Sequence, residues 1–328
     1  MVCTYREGID MEITSSEAKK LRLHRQPLAK RMLSCWPLYL MLVPCIVYYV
    51  LICYVPIFGN VLAFKNYSFK LGIWGSPWVE PWTKYFDKFF KSYDCWRLIK
   101  NTFRIGFLKC VLEFPFPVVL ALLLNEIHSM KFKKITQTIS YMPHFMSSVI
   151  IVTMIQRILA PDTGLLNQVI SALGGDGSIF YMMKSEYFDQ ILFTMDLWQC
   201  IGWDSIIYLA AIASVDAELY EAAEVDGCNR LKRIWHVTLP GIRNTIGLLF
   251  IMSVGGLLSS GFSQMWLLRT AGNSSVADTL DVYVVKIGLQ KAQFGYASAI
   301  GLVQGLVGLI LVVAANTISK KVSEVGLW

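Results

Sequence analysis

Five polar or aromatic side chains recur at helical spacing between residues 196 and 204. Asp196, Gln199, Cys200, Trp203 and Asp204 follow one another at i, i+3, i+4, i+7 and i+8, so they share one face of a helix. Carboxylates and amides can hydrogen-bond to ligand hydroxyls, and an aromatic ring can pack against an apolar ligand face. Within a membrane, such a face predicts a ligand path. A hydrogen-bonded seam between helices is an equally open interpretation.

Other reactive residues form no catalytic or metal-binding pattern. Lys109 and Glu113 are an i, i+4 pair within an apolar run, for which mutual neutralisation is the leading interpretation and a transport role the second. The histidines show no HExxH pattern and no cysteine pair has CxxC spacing, so no metal site is predicted. A G-x-x-x-x-G-K-[ST] phosphate loop is absent from the sequence. We therefore expect neither a catalytic residue nor a cofactor bound by this chain.

Apolar runs long enough to cross a bilayer must position these side chains. The 328-residue chain is 55% hydrophobic and only 16% charged, whereas soluble domains are about 25% charged. Runs of roughly twenty apolar residues occur at 36–58, 100–124, 138–159, 189–213, 244–262 and 295–317. Because they are continuous and not alternating, they favour helices over an outer-membrane barrel. The sequence predicts an all-α integral membrane protein with about six transmembrane helices.

The distribution of lysine and arginine predicts the orientation. Basic residues concentrate in 1–35, 125–134, 214–243 and 318–328, which the positive-inside rule places in the cytoplasm together with both termini. The first apolar run lacks a small-residue cleavage site and is predicted to be an uncleaved membrane anchor. The net charge of +7 suits anionic lipid headgroups. No basic surface with interleaved aromatic residues indicates nucleic-acid binding.

These signals divide the chain into four predicted regions. They are a cytoplasmic N-terminal arm (1–35), a first transmembrane helix with an external loop (36–97), a transmembrane core (98–318) and a cytoplasmic C-terminal tail (319–328). The external loop is rich in Gly, Pro and Trp, which is typical of a lobe at the membrane interface. Cys95 is the one cysteine in a predicted external loop, so no external intrachain disulfide is expected.

The cytoplasmic segment 214–243 has the pattern of two short helices. Its first part, 216–226, is rich in Ala and Glu, with Asp216 as the N-cap and Gly227 where the helix should end. A second helix at 229–237 should place Leu231, Ile234 and Trp235 on one face, and Pro240 should break it before the next span. A structured projection of this kind predicts a docking surface, and a connector that only joins two spans is the alternative.

This segment also carries a signature. Glu221-Ala222-Ala223, three residues, Gly227, nine residues, Val237, one residue and Leu239-Pro240 resembles the EAA motif of binding-protein-dependent ABC importer permeases, EAA-x3-G-x9-I-x-LP. The only departure is Val237 in place of Ile. The stretches VPIFGNVLAFKNYSF, LNEIHSMKFKKITQTISYMPHF and the ending VGLW look like the LplB-type branch of carbohydrate permeases. We call 214–243 the EAA segment.

The resemblance implies a fold, partners and a function. The fold would be a type I ABC importer permease of a bacterial cytoplasmic membrane. Such permeases work as homo- or heterodimers, and we expect the second permease subunit to be a different chain. Two ABC ATPase subunits, which hold ATP and Mg, would dock on the EAA segment, and an extracytoplasmic solute-binding protein would dock outside. The implied substrates are oligosaccharides or polysaccharide fragments. The implied ATPase contacts are Glu221, Ala222, Ala223, Gly227, Leu239 and Pro240. The substrate path predicted from helical spacing, along Asp196, Gln199, Trp203 and Asp204, would then carry sugar.

Three other functions remain as alternatives. The nearest is an ABC importer permease for a solute other than a sugar. A secondary transporter that works without ATP would leave the structured EAA segment without a role. A membrane-embedded enzyme acting on lipid-linked substrates would need clustered acids, histidines or a phosphate-binding set at one membrane face, and the sequence shows none.

Overall fold

A computed structural model describes residues 36–258 and 261–323. The predicted N-terminal arm (1–35) and the end of the predicted tail (324–328) lie outside the described residues. Within the described ranges the chain is helical and contains no named strand. The α-helices of six or more residues are α1 (Trp36–Tyr48), α2 (Lys84–Phe90), α3 (Cys95–Phe107), α4 (Pro115–Asn125), α5 (Met130–Tyr141), α6 (Ser148–Ile158), α7 (Leu165–Ala172), α8 (Phe188–Ala213), α9 (Ala217–Val225), α10 (Leu239–Gly255), α11 (Phe262–Leu268), α12 (Leu280–Val285) and α13 (Phe294–Ser323).

Among residues 36–258 and 261–323, four helices are long and apolar enough to cross a membrane, and up to six if each of two bent helix pairs counts as one span. The four run over Tyr39–Phe64, Cys95–Asn125, Arg230–Gly255 and Phe294–Lys320. They overlap the predicted first, second, fifth and sixth apolar runs, and they contain only the second and the sixth completely. α8 matches the predicted fourth run, 189–213. The final helix continues to Ser323, into the region predicted as a tail.

The predicted third span, 138–159, is wrong as one continuous helix. α5 passes into a 3-10 turn at Met142–Phe145, and α6 then leaves at 100°. The break follows from two local signals. Pro143 removes a backbone donor, and the hydroxyl of Ser147 accepts a hydrogen bond from Ile150 N at 3.4 Å, which caps a new helix. The second bent pair, Ser185–Ala213 with α9, turns by 73°.

Prolines explain where several of the long helices widen. Tyr49–Tyr54, Leu108–Glu113 and Ile234–Thr238 are π-helical, and each is followed two residues after its end by a proline: Pro56, Pro115 or Pro240. A proline cannot donate to the carbonyl four residues earlier, and its ring presses against that carbonyl. A wider π turn accommodates both effects without ending the helix. The helix axis therefore continues while the side chains within the turn are re-aimed.

Pro240 is one of these cases, and the prediction that it breaks the helix is wrong. The chain runs as one span from Arg230 through the π turn Ile234–Thr238 and α10 to Gly255. The second short helix of the EAA segment is thus the beginning of the fifth span.

The chain divides into two compact units, one up to Gly59 and one from Asn60 onward. In the first, the described helical residues carry apolar side chains that are almost all exposed, a state that lipid can solvate. In the second, α8 packs on α4, and Tyr208 and Ile212 join Val118 in one core cluster. Gly202 of α8 lies so close to α5 that a Cβ there would overlap the carbonyl oxygen of Ser140.

The predicted external loop forms a lobe that belongs to the second unit from Asn60 onward. An isolated antiparallel bridge joins Lys65 to Trp78, and Phe89 of α2 packs with Ile300 of α13. Cys95 is only 7% exposed because it begins α3 inside the same core cluster. It is therefore buried and not displayed in a loop.

Candidate functional site

The first helix of the EAA segment is delimited by capping. The carboxylate of Asp216 accepts a hydrogen bond from Glu218 N at 3.1 Å, as an N-cap should. After α9 the chain reverses at Gly227, whose φ is +74°. The amide of Cys228 donates to Ala223 O at 2.9 Å, and Gly227 N donates to Glu224 O at 3.0 Å. These bonds satisfy carbonyls at the helix end, and the left-handed residue between them favours glycine.

The two short helices are held together by side chains. Arg233 Nη1 lies 3.3 Å from Glu224 Oε2, and Tyr220 donates its hydroxyl hydrogen to Thr238 Oγ1 at 3.1 Å. Asn229 caps the second helix by accepting from Lys232 N at 2.9 Å. Caps, an ion pair and a buried hydroxyl partner give the segment a fixed shape. The segment is therefore a folded pair of short helices and not a flexible loop.

The residues of the EAA motif differ in how exposed they are. Glu221, Ala222, Gly227 and Pro240 are exposed or half-buried, and Leu239 is half-buried too. Ala223 is 9% exposed and buried within this chain, so it supports α9 and is not a free contact. Of the predicted apolar face of the second helix, Leu231 and Trp235 are exposed and Ile234 is half-buried.

Four large apolar side chains of the EAA segment are unusually open. Leu219 is 53% exposed, Val225 88%, and Leu231 and Trp235 67% each. Single exposed apolar residues are common, but several within one short projecting segment indicate a contact surface. The exposed carboxylates and basic groups around them resemble the polar rim of such a surface.

A buried polar cluster lies at the middle of α8. The carboxylate of Asp196 pairs with Lys109 Nζ of the π turn Leu108–Glu113, and it accepts a hydrogen bond from Gln264 Nε2 of α11. Its side chain is 5% exposed and that of Lys109 is 23% exposed. Gln264 also donates to Gln199 Oε1 at 3.3 Å, and Lys109 donates to Gln264 Oε1 at 3.4 Å. We call Lys109, Asp196, Gln199 and Gln264 the Asp196 cluster.

The Asp196 cluster connects the places where the helices of the bundle are broken or depart from α-helical geometry. Gln199 Nε2 donates to Met146 O at 3.3 Å, and Met146 lies at the 100° break between α5 and α6. Lys109 lies in a π turn, and Gln264 follows shortly after the left-handed Gly261. A broken helix frees backbone carbonyls that lipid cannot satisfy. The cluster supplies a partner for one of them and fixes three elements around a single carboxylate.

The predicted pairing of Lys109 with Glu113 is wrong. Lys109 reaches across to Asp196, and no ion pair joins it to Glu113 in the described part of the chain. The physical reason is burial, since the more enclosed carboxylate has the greater need of a counter-charge. Glu113 is left on the wall of a cavity instead.

This cavity, of about 290 Å³, lies between α8, α4 and α10. Its polar wall comes from Lys109, Glu113, Asp196, Cys200 and Asp204. Three residues of the predicted stripe therefore meet on one wall. Within the described residues, no group of three or more His, Cys, Asp or Glu side chains has the arrangement of a metal site.

The other two members of the stripe face elsewhere. Gln199 is tied to Met146 and Gln264. The ring of Trp203 stacks on His144, with centroids 4.5 Å apart and planes 1° from parallel, and Phe145 meets it edge-on. Trp203 thus packs on the 3-10 turn after α5 and does not line the cavity with Asp196 and Asp204. Helical spacing placed all five side chains on one face of α8. That face is wide enough to contact two different surroundings, the cavity and the turn after α5.

Sequence reasoning missed the contribution of Gln264. It lies in a short helix after the fifth span, 68 residues from Asp196 and 155 from Lys109. Phe114 and Tyr208, which also line the cavity, were missed as well. A single aromatic or amide residue in an apolar sequence carries no local signal, so only the packing of the helices could reveal these three.

Comparison with known proteins places the chain among transporters. Residues 114–324 match the family described as binding-protein-dependent transport system inner membrane component. In Bacillus subtilis (strain 168), the polygalacturonan/rhamnogalacturonan transport system permease protein YteP is 43% identical over 291 residues, 89% of this chain and 90% of its own length. Protein LplB of the same strain is 41% identical over 291 residues, covering 89% and 91%.

Solved structures agree with the sequence relatives. A bacterial ABC transporter involved in the import of the acidic polysaccharide alginate superposes with a TM-score of 0.83 at 36% identity, covering 91% of this chain and all (100%) of the matched chain. A bacterial alginate ABC transporter in complex with an alginate pentasaccharide-bound periplasmic protein gives a TM-score of 0.83 at 35% identity, covering 92% and 100%.

The fold and these matches define a multi-pass permease subunit of the cytoplasmic membrane, a transport component that is not itself an enzyme. The chain belongs to the family of binding-protein-dependent transport system inner membrane components. The family predicted from the EAA signature and the predicted all-helical permease fold are both confirmed. The chain thus serves an ABC importer that depends on a solute-binding protein.

Proposed function

We propose that this chain forms half of the translocation path of an ATP-driven importer for oligosaccharides or polysaccharide fragments. The other half is a second permease subunit, a different chain. Both termini lie in the cytoplasm. Two ATPase subunits, which hold ATP and Mg, dock on the EAA segment, and a solute-binding protein delivers the sugar from outside. The observation that carries the proposal is the fixed helix pair of the EAA segment with its exposed apolar side chains.

The geometry of the segment suits transmission of force. Glu221 and Ala222 are exposed on α9, and the left-handed turn at Gly227 sets the angle to the second helix. That second helix continues into the fifth span up to Gly255. A partner that pushes on α9 would therefore move a membrane-spanning helix, and this is what coupling of ATP hydrolysis to transport requires. Leu239 and Pro240 lie at the point where the π turn passes into α10.

The relatives support the sugar class. YteP is named for polygalacturonan and rhamnogalacturonan transport, and the matched structures are described as alginate importers. The complex with an alginate pentasaccharide-bound periplasmic protein supports a solute-binding protein as the donor here. The alternative is an ABC importer permease for another solute. Stimulation of the ATPase activity of the purified complex by a non-sugar solute alone would favour this alternative.

Docking is tested by Gly227→Pro. Proline fixes φ near −65° and cannot adopt the +74° of Gly227, so the turn should be lost while the spans insert. We expect normal membrane abundance but loss of ATPase copurification and of uptake. Gly227→Asn is the matched control, because asparagine tolerates the left-handed region and a Cβ there would meet nothing within 4 Å. Copurification of the proline variant at the parent level would contradict the docking role.

Orientation is tested by thiol labelling of intact cells. Tyr93 is 96% exposed in the predicted external loop, whereas Cys95 beside it is buried. In a background without other cysteines, Tyr93→Cys should react with an impermeant maleimide from outside. A variant that retains only Cys228, in the EAA segment, should react only after permeabilisation. External labelling of Cys228 would invert the topology and remove the docking surface from the cytoplasm.

A further inference from the structure

The wall of the intramembrane cavity has an unusual charge balance. It carries three carboxylates, on Glu113, Asp196 and Asp204, and one ammonium group, on Lys109. Lys109 and Asp196 pair with each other and cancel. Ionised Glu113 and Asp204 would make the wall negative, and protonated they would leave it neutral. In no protonation state of these two residues does this wall become positive.

The same wall can bind sugar hydroxyls. A carboxylate accepts hydrogen bonds from two hydroxyl groups, and a protonated carboxyl both donates and accepts. Phe114 and Tyr208 lie in the wall, with ring centroids 6.4 Å apart and planes at 88°, and aromatic rings suit the apolar face of a pyranose. The cavity of about 290 Å³ is at the small end of small-molecule pockets, which span about 300–1,000 Å³. It suits one sugar unit and not a whole chain.

From this wall we infer that the path through this chain selects uncharged or positively charged sugar units against uronates, with Glu113 and Asp204 as the specificity-determining residues. The inference rests on the proposed import function and deepens it. A uronate carboxylate would enter a low-dielectric space whose described wall holds the carboxyl groups of Glu113 and Asp204, and whose described ammonium group is already paired with Asp196. Ionised carboxylates in such a space repel a further negative charge strongly. The charge balance thus favours a substrate unlike the acidic polysaccharides for which YteP and the alginate importers are named.

The chain carries its own reporter for a test, because Cys200 lines this cavity. In the assembled complex, with Cys200 as the only cysteine of this chain and none accessible on the partners, its modification rates by cationic and anionic methanethiosulfonates would be compared. Dividing each rate by that for free 2-mercaptoethanol removes intrinsic reactivity. We expect the cationic reagent to be favoured about fivefold or more, the effect of one nearby unit charge.

Two variants link the ratio to the named residues. Asp204→Asn and the double variant Glu113→Gln, Asp204→Asn should bring the ratio towards one, the double variant further. Glu186→Gln, an exposed carboxylate outside the cavity wall, is the matched control and should leave the ratio unchanged. The single Asp204→Asn change decides the test where the double variant fails to assemble. A wild-type ratio at or below one, a ratio unmoved by Asp204→Asn, or no reaction at Cys200 would overturn the inference.

Substrate preference is measured separately, as the ATPase activity that each sugar stimulates in the complex with its solute-binding protein. Uncharged galacto-, arabino- and xylo-oligosaccharides would be compared with oligogalacturonates of equal length. Stronger stimulation by uncharged sugars supports the inference, and stronger stimulation by oligogalacturonates overturns it; where neither class stimulates, the Cys200 ratio alone decides. Cation preference at Cys200 in a complex whose ATPase activity responds to no solute would instead contradict the importer proposal alone, because the charge preference of the cavity does not depend on what the complex transports.

Discussion

The EAA segment and the Asp196 cluster hold their polar residues in opposite ways. In the EAA segment, caps and turn bonds join residues two to five positions apart, and most signature side chains remain exposed. In the Asp196 cluster, contacts join residues 53 to 155 positions apart, and Asp196 and Gln199 are buried. The first region keeps its shape alone and offers a surface. The second exists only when the spans have packed.

The difference predicts different failures. A change on the exposed surface of the EAA segment should weaken a partner contact while the fold persists, since surface substitutions rarely alter stability much. A change in the Asp196 cluster should destabilise the fold first, because a buried charge without its partner is strongly unfavourable. Substitutions that separate folding from function therefore test the comparison directly.

The largest effect is expected from breaking the Lys109–Asp196 pair. Lys109→Met or Asp196→Asn alone leaves a buried charge uncompensated, which should destabilise the protein by about 3–5 kcal/mol. The double variant removes both charges and should recover most of this loss. The measurement is unfolding of the purified protein in detergent, followed as a double-mutant cycle.

An exposed pair provides the control for that cycle. Arg97 and Asp94 are 2.8 Å apart with side chains 40% and 37% exposed. Arg97→Met should change stability by less than about 1 kcal/mol. If Lys109→Met behaves like Arg97→Met, the Asp196 cluster does not hold the bundle and the contrast with the EAA segment disappears.

A smaller effect is expected where α8 crosses α5. A Cβ at Gly202 would overlap the carbonyl oxygen of Ser140, so Gly202→Ala should force the two helices apart and destabilise by about 1–3 kcal/mol. Gln199 lies one turn earlier and bonds to Met146 beyond the end of α5, so this bond should weaken too. The measurement is thermal unfolding, with chymotrypsin cleavage after Phe145, between α5 and α6, as the local readout.

Gly301→Ala is the matched control for this crossing. Gly301 lies within α13, and a Cβ there meets nothing within 4 Å. Alanine in an open helix interior should be neutral or stabilise by up to about 1 kcal/mol. Equal changes in the stability of the two alanine variants would show that α8 and α5 accommodate the added methyl group. The close crossing at Gly202 would then not affect stability.

The contrast also explains what the sequence could and could not reveal. Asp216 and Gly227 were predicted in their roles because capping and left-handed turns depend on neighbours in the chain. α8 was predicted to within a residue because its apolar run is continuous. The 100° break after α5, the continuity of the helix through Pro240, and the partner of Lys109 were not predicted. Each depends on how a helix with a lost hydrogen bond packs against distant elements.

The smallest expected effect comes from removing the Asp216 cap of α9, which tests whether local bonds shape the EAA segment. Asp216→Ala removes the acceptor of Glu218 N and should destabilise α9 by about 1 kcal/mol. Because Ala223 is buried and Tyr220 bonds to Thr238, α9 should stay docked on the chain. The loss should therefore appear as local opening. Amide hydrogen exchange across the first turn of α9 should accelerate about fivefold, while global unfolding and ATPase copurification stay near the parent values.

Asp216→Asn sharpens this result, because asparagine caps a helix as well as aspartate does but carries no charge. If the cap bond is what matters, exchange in the asparagine variant should match the parent. If exchange rises equally in both variants, the charge of Asp216 acts on the helix dipole and the hydrogen bond contributes little. If instead the alanine variant unfolds globally, the EAA segment is as dependent on its surroundings as the Asp196 cluster. The two regions would then differ in exposure alone and not in how they are built.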